Sequence, residues 1–312
     1  MLPVFDDFLL NLKTQNYSEE TVYNYERDIR VFEQFLEDSS TPFGSVTKQV
    51  IAQYKAYLAS RDRKTAIKET TSGQRLSSYS TNRMLSALRS YLKYLIDMDY
   101  KVPIPPEAVK LVKTEKKIPK VAEFEELVRL IESPSTFEGD KRVAARNRAM
   151  LEVLFSTGTR ISELIGLKRS DIDNTGRIFV MGKGKKERFV YLTQRALRYI
   201  DEYVRTRSDN SPYLFIPYRG KNTPLRDKKI STNYLQAKIK EYREKLQINV
   251  PTSAHSLRHG FATYLAEGGA SPVAIQILLG HESLDTTTRY VHASDRFAEE
   301  THKKFHPLKE PK

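Results

Sequence analysis

Between Lys101 and Lys120 the chain carries four prolines, Pro103, Pro105, Pro106 and Pro119, together with a basic run of Lys113, Lys116, Lys117 and Lys120. No regular helix crosses such a stretch, because a proline lacks the N–H that the helix needs and pushes the residue before it out of the helical region. The 312 residues therefore divide into two units, each long enough to bury its own core. The reading is a helical domain over residues 1–105, a basic Pro-containing linker over 106–121 and a second domain over 122–312.

The same break separates the charge. Residues 1–110 hold 15 basic and 14 acidic side chains and the remainder 37 and 25, so almost all of the net +13 lies in the second part. Such a surplus attracts polyanions, either nucleic acid or an anionic membrane surface, while saying little about fold. There is no cysteine, which excludes disulfides, thiolate-bound metal and a cysteine nucleophile, and fits a reducing compartment. The N-terminus lacks a basic region ahead of an apolar one, and nowhere do about 18 apolar residues run together. The expected location is the cytoplasm, with no membrane span.

Apolar periodicity reads mainly as helix. Ser18 is an N-cap candidate for a helix whose Val22, Tyr25, Ile29, Phe32 and Leu36 share one face, and a second helix starts near Thr47 with Val50, Tyr54, Tyr57 and Leu58. Arg61 to Ser78, with Arg61, Arg63, Lys64, Lys68 and Arg75, reads as an exposed connection. Ser80 to Met98 forms a third helix on Leu85, Leu88, Leu92 and Leu95, leaving Arg83, Arg89 and Lys93 off the apolar stripe to meet phosphate or water. In the second part, helices are expected at Glu123–Ile131, Arg142–Phe155 (ended by Gly158), Gln194–Arg207, Thr232–Leu246, Leu257–Glu267 and Pro272–Leu279. Arg177–Met181 and Glu187–Leu192 are β-branched and aromatic runs joined by a Gly-containing loop, the pattern of a hairpin.

All six histidines fall between His255 and His306. His255-Ser256-Leu257-Arg258-His259 opens a helix, with His255 in or near the N-cap. A helix N-terminus favours an anion and an arginine adds a two-pronged grip, so the segment suits a phosphate. His255 and His259 also stand at an i, i+4 spacing that can bind metal, but the intervening Glu of a zinc-protease helix is missing. Taken singly, Arg160 reads as a surface or ion-pairing residue, Lys183 as a solvated turn lysine, and Tyr290, one of 18 tyrosines, as core or interface. Their order and spacing carry more than any one of them.

TGTRISEL at 157–164, GKGKKER at 182–188, HSLRH at 255–259, LGH at 279–281 and a tyrosine nine residues after that last histidine together resemble the tyrosine recombinases. IPKV at 118–121 and HPL in the tail are similar to the Xer type within that family. The resemblance implies a mainly α protein, with a small helical core-binding (SAM-like) domain and a larger mixed, mostly helical catalytic domain carrying a short antiparallel β-sheet. It assigns Arg160 and Arg258 to the non-bridging oxygens of a scissile phosphate and Lys183 to protonation of the leaving 5′ oxygen. His255 takes the acid/base role, His281 a hydrogen bond beside the phosphate, and Tyr290 the nucleophile. Glu163 orients Arg160. Arg83, Lys117, Lys120, Lys185 and Lys186 are expected on the DNA backbone, and Lys185 or Lys186 could replace Lys183 in the turn.

The chemistry explains why such a set is needed. A tyrosine with a pKa of about 10 is phenolate in only roughly one molecule in a thousand at pH 7, a handicap of about 4 kcal/mol. Charge on the five-coordinate phosphorus must be met by fixed cations, and losing one such donor typically costs about 2.7–4 kcal/mol. No metal and no nucleotide cofactor is expected. The implied partners are a duplex DNA recombination site and three further protomers, as a homo-tetramer or a hetero-tetramer with a second recombinase, with room for an activating DNA translocase. The stretch Asp295–Lys312 is similar to the family's C-terminal exchange helix. Strand exchange through a Holliday junction, in an Xer-like resolution of chromosome dimers, is the favoured role. The alternatives are a mobile-element or phage integrase or a type IB topoisomerase of the same chemistry and, in another class, a non-catalytic DNA-binding module.

Overall fold

The computed structural model describes residues 2–60, 76–114, 121–182, 187–220 and 228–280. Contacts divide the chain into two units, Met1–Lys117 and Ile118–Lys312. Residues 61–75 of the expected connection Arg61 to Ser78, and Lys117, Lys120, Lys183, Lys185, Lys186, His281, Tyr290 and the stretch Asp295–Lys312, lie outside the described residues.

The first unit is built from helices α1 (Phe5–Thr14), α2 (Glu19–Asp38), α3 (Lys48–Ser60) and α4 (Ser78–Asp97). The Ser18 hydroxyl caps α2 by accepting from the Thr21 N–H at 3.2 Å, which supplies one of the donors a helix start leaves unpaired. Helix α4 starts earlier than its apolar stripe indicates, because Ser77 caps it through the Ser80 N–H. Phe8, Phe32, Tyr54 and Tyr91 are fully buried, with edge-on ring contacts at 5.4 Å for Phe8–Tyr91 and 4.9 Å for Phe32–Tyr54. The Tyr91 hydroxyl donates to the Pro3 carbonyl, and burial holds that phenol well above its ordinary value. The packed unit continues past residue 105. Val109 is fully buried, and Asn82 exchanges two hydrogen bonds with the Val112 backbone, at 2.9 and 2.8 Å. Residues 106–112, read from the sequence as linker, thus pack on the first unit.

The second unit comprises α5 (Phe124–Glu132), a short α6 (Pro134–Phe137), α7 (Lys141–Thr157), α8 (Ile161–Gly166), strands β1 (Arg177–Met181) and β2 (Glu187–Tyr191), then α9 (Gln194–Arg205), α10 (Thr232–Lys245), α11 (Ala254–Glu267) and α12 (Pro272–Leu279). Helix α7 is central and touches α5, α6, α8, α9, α11 and β2. Every residue from Arg146 to Leu154 is buried, so its polar members need internal partners. Arg146 donates to Asn147, to the Tyr234 hydroxyl and, at 2.9 Å, to the Ile216 carbonyl, while Arg148 donates to Glu152 at 2.9 Å.

The strands pair antiparallel with Phe179 opposite Phe189 and Val180 opposite Arg188. Side chains alternate between faces along a strand, so Ile178, Val180, Arg188 and Val190 point into the unit while Phe179, Met181, Phe189 and Tyr191 stay exposed. Among the described residues no helix is long and apolar enough to cross a membrane.

Candidate active site

Two glycines set the frame. Helix α7 ends at Gly158 (φ 61°) and α12 at Gly280 (φ 63°), both in the left-handed region where a Cβ is strained. A Cβ on Gly158 would stand 2.4 Å from the ring of Phe261 on α11, so the bare backbone lets the end of α7 come close to α11. The last carbonyls of a helix have no partner within it and carry the negative end of its dipole. At the end of α12 three successive carbonyls each meet a different arginine. Leu278 O accepts from Arg188 Nε at 2.8 Å, Leu279 O from Arg258 Nη2 at 2.6 Å and Gly280 O from Arg160 Nη2 at 3.5 Å.

Arg258 lies on α11 and is only 2% exposed; its Nη1 donates to the Gly158 carbonyl at 2.7 Å. One guanidinium therefore joins the ends of α7 and α12. Arg160 is the N-cap of α8, and its side chain remains 36% exposed. Its backbone N–H and Nη1 donate to the two carboxylate oxygens of Glu163 at 2.7 and 2.9 Å. Burial pushes the Glu163 carboxyl up, but the bonds from Arg188 and Arg160 outweigh it and hold the group below its ordinary value.

His255 is the second residue of α11, not its cap. Ser253 takes the cap position, accepting from the Ser256 N–H at 3.2 Å, and so the helix begins three residues before the expected Leu257. Burial, with the positive charges of Arg258 and Arg160 beside it, lowers the His255 pKa from its usual value. The ring of His259 meets it edge-on at 4.3 Å. Among the described residues no group of three or more His, Asp or Glu side chains is placed to hold a metal ion.

The structure thus brings Arg160, Glu163, His255 and Arg258 to one place in the second unit. Arg83 stands on α4 of the first unit, where it pairs at 2.9 Å with the buried carboxylate of Asp28. Sequence reasoning missed Arg188. Its signal was available, since on an alternating strand Arg188 shares the face of Val190 and breaks an otherwise apolar inner row.

This constellation sets the guanidiniums of Arg160 and Arg258 and the imidazole of His255 around the ends of two helices, with Glu163 and Arg188 behind Arg160, an arrangement suited to a phosphate diester. The Phage integrase family matches residues 120–296, and the N-terminal SAM-like domain of phage integrases matches residues 5–98. The chain is 33% identical to a tyrosine recombinase XerC of Halalkalibacterium halodurans, over 96% of each chain. It is 32% identical to a tyrosine recombinase XerD of Staphylococcus epidermidis over 93% of each. In fold it is similar to the XerH site-specific recombinase solved with its palindromic difH substrate as a post-cleavage complex. That likeness has a TM-score of 0.71 and 23% identity, and covers 93% of this chain and 81% of the other. The chain belongs to the phage integrase, or tyrosine recombinase, family of DNA breaking and rejoining enzymes.

Proposed function

We propose that the protein is a cytoplasmic Xer-type site-specific recombinase that cuts and rejoins duplex DNA through a 3′-phosphotyrosine intermediate. The observation that carries this reading is the convergence of Arg160, His255 and Arg258 on the paired helix ends of α7 and α12.

The roles follow from chemistry. Arg160 and Arg258 neutralise the non-bridging oxygens of the scissile phosphate as charge builds on the five-coordinate phosphorus. His255, whose pKa is lowered, is unprotonated at neutral pH and can take the proton of the Tyr290 hydroxyl. The phenolic oxygen forms its bond to phosphorus as the bond to the 5′ oxygen breaks, and Lys183 delivers a proton to that leaving oxygen. His281 adds a hydrogen bond to the phosphate. The phosphotyrosine keeps the diester energy that attack by water would lose. A 5′ hydroxyl from a partner strand then reverses the step, which joins two duplexes in a Holliday junction.

Exchange between two sites calls for four protomers, as a homo-tetramer or with a second recombinase, with the Asp295–Lys312 stretch docking between neighbours. Arg83, Lys117, Lys120, Lys185 and Lys186 would hold DNA phosphates, which fix register without reading sequence. Resolution of chromosome dimers, with a role in partition and the cell cycle and with a translocase as activator, fits the Xer relatives. No metal or nucleotide enters this scheme.

Incubation with nicked duplexes bearing candidate sites, followed by denaturing electrophoresis, tests it. A covalent protein–DNA band is expected from the wild-type chain and none from Tyr290→Phe; a band that persists in the variant removes the nucleophile. Loss of activity on treatment with a chelator would count against metal-free chemistry.

A further inference from the structure

We infer that Arg188 is a positioning residue for Arg160, sharing the Glu163 carboxylate so that the charge of Arg160 stays directed at the phosphate. This rests on the reading of Arg160 as a phosphate ligand.

Arg188 is buried on the inner face of β2, with its side chain 6% exposed against 5% for Glu163. Its two terminal nitrogens bind the two oxygens of Glu163, Nη1 to Oε1 at 3.0 Å and Nη2 to Oε2 at 2.7 Å, and Nε binds the Leu278 carbonyl at 2.8 Å. All three nitrogens are held and the fork fixes the carboxylate plane. Each oxygen of Glu163 also accepts from Arg160, Oε1 from Nη1 at 2.9 Å and Oε2 from the backbone N–H at 2.7 Å. One carboxylate thus serves two arginines, one locked in the interior and the other a third exposed.

Charge balance gives this sharing a purpose. With Arg160 alone, Glu163 would form a neutral pair and draw the guanidinium away from an incoming phosphate. With Arg188 added, the trio keeps a net charge of +1 and Glu163 still steers Arg160. Arg188 also lies against Gly280, where a Cβ would stand 2.9 Å from its Cδ. The same side chain therefore links β2, Glu163 and the end of α12, which supplies carbonyls to Arg258 and Arg160.

The test compares Arg188→Gln and Arg188→Lys with wild type in single-turnover formation of the covalent adduct on a nicked duplex. A second duplex carries a methylphosphonate in place of the scissile phosphate. The methyl group removes one charged oxygen and with it the need for an aimed Arg160. On the phosphate duplex both variants are expected to lose about 100-fold in rate, the scale of a misplaced catalytic group, with the Kd for DNA changed less than about threefold. On the methylphosphonate duplex the loss should shrink to about tenfold or less. Arg188→Lys keeps the buried charge but not the fork, so it decides the matter if Arg188→Gln does not fold; melting followed by circular dichroism establishes that.

Equal losses on both duplexes would mean a merely structural role and overturn the inference, as would undiminished cleavage by the variants. Failure of the wild-type chain to form any adduct would overturn the recombinase reading, and this inference with it.

Discussion

Burial does most to lower the His255 pKa, and the positive charges of Arg258 and Arg160 beside it add to the effect, while the ring of His259 lies edge-on against it. Its proton therefore leaves at a lower pH than an ordinary imidazole's, near 6.5. If it is the base for Tyr290, the single-turnover cleavage rate should fall on acidification with a midpoint below 6.5, and an acid limb at or above that value would remove His255 from the role. The unfolded chain binds this proton more readily than the folded one, so His255 also lowers folding stability as pH drops below 6.5 towards the folded value. Glu163 runs the other way. Its depressed pKa contributes stability that is present above 4.5 and is lost as the pH falls through the folded value. Glu163→Gln keeps the shape but turns an amide towards two guanidiniums, and removal of one partner from a buried pair costs about 3–5 kcal/mol. Urea unfolding at pH 7 should show a loss of that order, narrowing as the pH falls below 4.5. A gap that is constant with pH would mean that the ionised carboxylate is not the stabilising species.

At the scale of elements, Gly158 and α11 show how the site is assembled. Gly158→Ala places a methyl group in a left-handed conformation, costing about 1–2 kcal/mol, and against Phe261 at 2.4 Å, where overpacking adds about 1–3 kcal/mol. Thermal or urea unfolding should register a loss of about 2–5 kcal/mol. In the background of Phe261→Ala the cost should fall towards the backbone part, with the Leu279 side chain still 3.1 Å from the new Cβ, and an unchanged cost there would show that the ring is not what the glycine accommodates. Periodicity made most elements legible. The stripes of α2 and α4, the hairpin of β1 and β2, and the glycine stop after α7 follow from side-chain spacing alone. Helix α1 escaped notice because its apolar face is only Phe5, Phe8 and Leu12 and its N-cap, Val4, offers no capping side chain. The start of α11 was placed late because Ser253, not His255, caps it. Motif order made Arg160, His255 and Arg258 legible, whereas Arg188 required the inner face of a strand to be read as a place where a charge needs a reason.

At the scale of the whole molecule, folding and ligand binding draw on different parts of the composition. The cores of both units are built from aliphatic and aromatic side chains, while the basic surplus of residues 111–312, 37 basic against 25 acidic, is available to a polyanion. In the first unit Arg30 pairs with Glu33 at 3.0 Å and Arg83 with Asp28 at 2.9 Å. An ion pair of this kind narrows what Arg83 can add to DNA affinity, so the larger share is expected from the second unit and the lysines around it. Binding that releases counterions weakens with salt, by a slope in log K against log [salt] of about 0.9 for each phosphate neutralised. Replacing Lys185 and Lys186 together by glutamine should lower that slope by about 2 on any duplex, specific or not. Arg83→Gln should lower it by less than about 1, because Asp28 already holds part of the charge. Fluorescence anisotropy of a labelled duplex, titrated at several salt concentrations, measures both slopes. An Arg83 variant with the larger change would move the principal phosphate grip to the first unit and refute this division of labour.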